Sequence, residues 1–132
     1  MPLLVKTQLK EIPNKGIGVI SVEKIKINTI VYRDDLNFDI LLSQEQVDRM
    51  PDTLKSFVDT YCSFIKEYNS YYVCMDNSRF LNHSFNANLK WDDVDKKYIA
   101  NRDIDMGEEL TSNYTEFDEF SKRGEFGFEI YE

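Results

Sequence analysis

Three stretches of this chain carry residue types at spacings suited to chemistry. Tyr114 closes the run Gly107-Glu108-Glu109-Leu110-Thr111-Ser112-Asn113-Tyr114. Its phenolic hydroxyl can both donate and accept a hydrogen bond, although one tyrosine among eight is ordinarily core packing. Upstream, Arg79-Phe80-Leu81-Asn82-His83-Ser84 brings together a guanidinium, an amide and the chain's single histidine. The His83 imidazole suits either a general base or a satisfied core group, and the Asn82 amide offers a polar anchor. Near the N-terminus, Lys15-Gly16-Ile17-Gly18-Val19 contains a Gly-x-Gly loop. It reads as a turn between strands or as bare backbone that a ligand can approach closely. Glu108 and Glu109 read as a solvated turn rather than an acid/base pair.

Composition bounds the setting of these residues. A chain of 132 residues, 42% hydrophobic and 14% aromatic, is expected to form one domain, 1–132, that buries about two thirds of its unfolded surface. The apolar runs are only a few residues long, so no membrane span is expected, and the N-terminus lacks a secretory pattern. Cys62 and Cys74 form no metal-like cluster and read as buried thiols of an intracellular protein, with no metal expected. The net charge of -8 disfavours direct nucleic-acid binding and favours a basic partner, although solubility alone also explains it.

The elements expected to position these groups are short. Strands are expected at Leu3-Leu4-Val5, at residues 16–20 and at residues 28–32, with Pro13-Asn14-Lys15-Gly16 as a turn. Ser43-Gln44-Glu45-Gln46 has capping-box spacing, which predicts a short helix ending before Pro51. Leu54, Phe57, Val58, Tyr61, Phe64, Ile65 and Tyr68 recur at three- and four-residue intervals, which predicts a helix over 52–68 with an apolar core face. Tyr71 to Met75 reads as a buried strand. Residues 87–92 and 97–102 read as a hairpin with Trp91 and Tyr98 packed across it. No regular alternation of strand and helix suggests a Rossmann-type domain.

Taken together, the Arg-Phe-x-Asn-His-Ser run, a hairpin and then Gly-Glu-Glu-Leu-Thr-x-x-Tyr resemble the signature of SET-domain lysine methyltransferases. The Gly-x-Gly loop agrees in order and position, and the resemblance spans residues 16–114. It implies a mostly β fold with short helices, built of small sheets around a knot-like C-terminal threading, with residues 115–132 as a closing tail. It also implies S-adenosylmethionine as cofactor and a basic, lysine-containing protein or peptide as substrate. Carried over, Tyr114 is the catalytic residue and also borders the cofactor. Lys15, Ile17 and Gly18 contact the cofactor through backbone, the Asn82 oxygen accepts from its ammonium, and the backbone of Asn82 and His83 meets the adenine edge. Arg79 either contacts the cofactor or braces the strand. Phe117 joins the cofactor-binding set, and Phe117 with Phe120 are candidates for a lid, in the same chain or across a homodimer.

The pattern departs from the family in several places. Asn82-His83-Ser84-Phe85-Asn86-Ala87-Asn88 lacks the usual Cys and Pro, which argues against a zinc cluster there and leaves Phe85 to replace that packing. Asn113 replaces a frequent Asp, and Ser112 is smaller than the aromatic often found at its position, which implies a roomier pocket. The chemistry such an enzyme must solve is deprotonation: with a reference pKa near ~10.4, freeing a lysine amine at pH 7 costs roughly 4 to 5 kcal/mol. A desolvated aromatic channel beside a sulfonium lowers that cost, and a tyrosine hydroxyl with backbone carbonyls aligns the amine. Two rivals remain open from sequence: a non-catalytic SET-like protein-interaction module, and methyl transfer to a small amine or to another side chain.

Overall fold

The computed structural model describes residues 2–117. In chain order these form β1 (Thr7–Ile12), β2 (Gly16–Ser21), β3 (Ile30–Arg33), β4 (Ile40–Leu42), α1 (Gln44–Asp48), α2 (Asp52–Tyr61), β5 (Ser63–Ile65), β6 (Ser70–Val73), β7 (Asn82–His83), β8 (Leu89–Asp92), β9 (Lys97–Ala100) and β10 (Glu109–Ser112). Single 3₁₀ turns occur at Lys66–Tyr68, Asn77–Phe80 and Tyr114–Glu116. The strands make three small sheets, ordered β1-β2-β10-β7, β3-β9-β8 and β4-β6-β5. The mostly β architecture with two short helices is the one expected.

The first hairpin shows how local chemistry sets a register. Pro13, Asn14 and Lys15 bridge β1 and β2, whose pairing runs from Ile12 opposite Gly16 to Thr7 opposite Ser21. Asn14 and Gly16 take left-handed φ values of 66° and 89°, a region that asparagine and glycine enter at low strain. The first strand therefore lies at 7–12 and not at 3–5, where Leu3 makes only an isolated bridge to Tyr32. Lys10 and Glu11 hid it from a reading by β-branched residues, because β1 is an edge strand whose outer face tolerates charge.

The expected helix over 52–68 stops at Tyr61. Cys62 is already extended, and β5 pairs with β6 so that Phe64 faces Tyr71, ring centroids 5.2 Å apart and nearly perpendicular. The aromatic stripe is real, but its second half belongs to a strand, an ambiguity that short apolar runs carry in themselves. Ser43 caps α1 in both directions, accepting from Gln46 N–H at 3.1 Å while its own N–H donates to the Gln46 amide oxygen at 2.8 Å. The hairpin of β8 and β9 sets Trp91 opposite Tyr98 with ring centroids 4.8 Å apart, as expected.

One apolar cluster lies between the first two sheets and includes Val19, Val31, Leu89, Ile104 and Leu110, all essentially inaccessible. Leu110 and Val19 are register partners in β10 and β2, so the strand that leads to Tyr114 is anchored in the best-packed part of the molecule. A second cluster, with Val47, Val58 and Val73, seats α1 and α2 against the third sheet. Among the described residues no helix is long and apolar enough to cross a membrane.

Candidate active site

Strands β7 and β10 lie parallel, with Asn82 opposite Thr111 and His83 opposite Ser112. This pairing, extended by Ser84 N–H to the Ser112 carbonyl at 3.0 Å, joins two segments about thirty residues apart in sequence. Just beyond β10, Asn113 caps the 3₁₀ turn that carries Tyr114, its side-chain oxygen accepting from Thr115 N–H at 3.0 Å and from the Thr115 hydroxyl at 2.6 Å. Among the described residues two hydrogen bonds hold Tyr114. Its N–H donates to His83 Nδ1 at 3.1 Å, and its hydroxyl donates to the Leu81 carbonyl at 2.5 Å. The His83 and Phe117 rings stand edge-on to it at 5.2 and 5.9 Å, a favoured arrangement for aromatic pairs. Phe85 in turn stands edge-on to His83 at 4.3 Å.

Asn82 is held by both hydrogens of its amide. Nδ2 donates to the Ile17 carbonyl at 3.1 Å and to a Glu109 carboxylate oxygen at 2.8 Å, while Lys15 Nζ approaches the other Glu109 oxygen at 3.4 Å. The amide orientation is thus set, and its oxygen is left with no protein donor among the described residues. Glu109 is not part of a solvated turn, as its sequence context suggested. It sits in β10, its side chain only 16% exposed, in a position where the strand pairing delivers it to Asn82. Glu108 is the more solvated of the two and pairs with Arg102 at 2.9 Å, which holds its carboxyl below the usual range.

The two loop glycines serve different purposes. A Cβ on Gly16 would meet nothing within 4 Å, so its positive φ alone calls for glycine. A Cβ on Gly18 would stand 2.5 Å from Ile12, 2.6 Å from Glu109 and 2.9 Å from the Asn82 amide. The bare Gly18 backbone therefore makes the Asn82 and Glu109 arrangement possible in the first place.

Beside Tyr114 opens a cavity of about 80 Å³ whose aromatic walls include Tyr32, Tyr61, Trp91, Tyr98 and Phe117. Ser112 and Cys74 supply polar atoms, and Asp34 contributes a carboxylate. Burial pushes the Tyr98 hydroxyl well above its ordinary range and the Cys74 thiol up to about 12, so both are neutral. Arg79 also lines this cavity. Its guanidinium lies over the Phe57 ring at 5.7 Å, and its Nε reaches the Asp76 carbonyl at 3.4 Å, a bracing arrangement between the 3₁₀ turn and α2. Phe117 packs on Trp91 and Tyr98 at 5.7 and 6.0 Å. Phe120 and the remainder of the tail lie outside the described residues.

Four contributors to the site escaped the sequence reading. Asn88, nearly inaccessible, clamps β10 through Nδ2 to the Glu109 carbonyl at 2.8 Å and Thr111 N–H to its Oδ1 at 2.9 Å. Trp91 and Tyr98 were legible as a packed pair, but not as cavity walls. Asp34 had no motif around it. The available signal was its position two residues after Tyr32, where strand alternation puts both side chains on one face.

A family model for the SET domain matches residues 16–115. No match was found among curated proteins. The matched span begins at the Gly-x-Gly loop and ends just past Tyr114, so it contains the whole junction of β2, β7 and β10 described above; this chain belongs to the SET domain family, whose members are in general protein-lysine methyltransferases.

Proposed function

We propose that this protein transfers a methyl group from S-adenosylmethionine to the side-chain amine of a lysine in a basic protein or peptide. The observation that carries this reading is the parallel pairing of β7 with β10, which brings Asn82 and Tyr114 to one junction beside an aromatic cavity. The residues present fit the cofactor: the Asn82 amide is locked with its acceptor end unused among the described residues, a chemistry suited to the ammonium of the methionine moiety. Lys15, Ile17 and Gly18 form the neighbouring backbone, and when bound the cofactor supplies an electrophilic methyl group on a sulfonium.

The chain's own residues then have defined work. Aromatic walls exclude water and disfavour the charged amine, which lowers its pKa. The Tyr114 proton is committed to the Leu81 carbonyl, so the phenolic oxygen presents acceptor lone pairs. These suit an N–H of the neutral amine and turn its own lone pair toward the methyl donor, a gain from alignment. The net charge of -8 favours encounter with a basic substrate over a nucleic acid.

Titration calorimetry with S-adenosylmethionine, followed by detection of S-adenosylhomocysteine released in the presence of a basic protein mixture, tests the proposal. Mass spectrometry of the acceptor then shows which residue gains a methyl group. Absence of cofactor binding would overturn it. Cofactor binding without turnover would favour an interaction module instead.

A further inference from the structure

Asp34 is the one carboxylate among the described residues of a cavity wall that is otherwise aromatic or neutral apart from the Arg79 guanidinium. It follows β3, and its backbone N–H donates to the Lys96 carbonyl at 2.9 Å. One carboxylate oxygen accepts from the Tyr32 hydroxyl at 2.6 Å. Its neighbour Asp39 has both oxygens occupied, accepting from the Tyr72 hydroxyl at 2.5 Å and from Met75 N–H at 3.0 Å. Asp34 has no such second partner among the described residues.

The nearby cations are committed elsewhere. Lys96, on the β8–β9 turn, is ion-paired to Glu67 and, at 2.9 Å, to Asp93. Arg79, on the cavity wall, is held by Phe57 and the Asp76 carbonyl. Among the described residues no cation stands within ion-pairing distance of Asp34. The other groups that face it are neutral hydroxyls, Tyr68 from a 3₁₀ turn, Tyr72 from β6 and Tyr98 from β9, together with the Asp39 carboxylate. A partly buried carboxylate that borders the cavity and has no counter-ion among the described residues offers a charge partner to an organic cation.

We propose that Asp34 is the anionic anchor of this cavity, drawing the cationic amine of the substrate between the aromatic walls and holding it there before its proton is lost. The inference rests on the lysine-methyltransferase reading and adds to it a specificity residue that acts on binding. Burial lifts the Asp34 carboxyl to about 6, the Tyr32 hydrogen bond and the Lys96 charge opposing that rise and the Asp39 charge adding to it. The anchor is therefore charged above that pH and lost as pH falls through it.

The test uses the full chain and Asp34→Asn, whose side-chain oxygen can still accept from Tyr32. With a lysine peptide, KM should rise about tenfold or more while kcat stays the same or increases, because a carboxylate that favours the charged amine also opposes loss of its proton. The acid limb of kcat/KM near pH 6 should vanish, and S-adenosylmethionine affinity should stay the same. A variant with the wild-type KM and acid limb would overturn the anchor and leave the methyltransferase reading intact. Titration with n-butylammonium, followed by the Trp91 indole NMR signal, separates the two ideas. Asp34-dependent uptake in a wild type that releases no S-adenosylhomocysteine would keep the anchor and discard the enzyme reading. No uptake by the wild type would overturn the anchor.

Discussion

The backbone N–H of Tyr114 donates to His83 Nδ1 across 3.1 Å. A peptide nitrogen can only donate, so Nδ1 is the acceptor of this bond. His83, on β7, thereby holds the backbone of Tyr114 in the turn that follows β10. The bond also explains how β7 controls a tyrosine that lies beyond the end of β10.

Tyr114→Phe removes the phenolic oxygen and keeps the ring between His83 and Phe117. Release of S-adenosylhomocysteine should fall by about 100-fold, the typical penalty for losing reactive alignment. Stability should drop by about 1 kcal/mol for the lost bond to the Leu81 carbonyl. A near-wild-type rate in a folded variant would remove Tyr114 from the chemistry.

Glu109→Ala deletes the acceptor that holds the Asn82 amide and the partner of Lys15. Calorimetry should show S-adenosylmethionine binding weakened about tenfold, in line with loss of a partner that orients a ligand-binding group. Circular dichroism should show the fold retained. Unchanged affinity would mean that the Ile17 carbonyl alone suffices to orient Asn82.

The two glycines should respond in opposite structural ways. Gly18→Ala forces a Cβ within 3 Å of three atoms and should destabilise by about 1–3 kcal/mol while also weakening cofactor binding. Gly16→Ala meets open space and should cost about 1–2 kcal/mol through its positive φ, with cofactor affinity little changed. Thermal denaturation and calorimetry on the two variants separate these effects.

Asp34 should make stability depend on pH. Its carboxyl rises from 3.8 to about 6 on folding, so the folded state binds the proton more tightly. The resulting stabilisation is complete below about pH 4 and is lost as pH rises through 6. Above that pH the ionised group burdens the fold, and Asp34→Asn should stabilise the protein by about 1–2 kcal/mol at pH 7.5 after allowance for partial exposure. It should also flatten Tm between pH 4 and 7. A variant less stable than wild type at pH 7.5 would contradict this account.

Much of this protein can be read from short-range spacing. The glycine loop, the Ser43 capping box, the Trp91–Tyr98 pair and the two signature runs are each encoded within a few residues, where residue type limits backbone and hydrogen-bond geometry directly. The boundary at Tyr61 was hidden because an apolar stripe fits a helix and a strand alike until β6 supplies a partner. Glu109 looked solvated in its own run, and became the holder of Asn82 only when β10 was laid between β2 and β7. Asp34 and Asn88 likewise acquire their roles from neighbours distant in the chain, Tyr98 and Cys74 for one, Thr111 and Glu109 for the other. Local patterns name the chemical groups; long-range strand pairing, which no short window contains, settles which of them share a cavity, a counter-charge or a hydrogen bond.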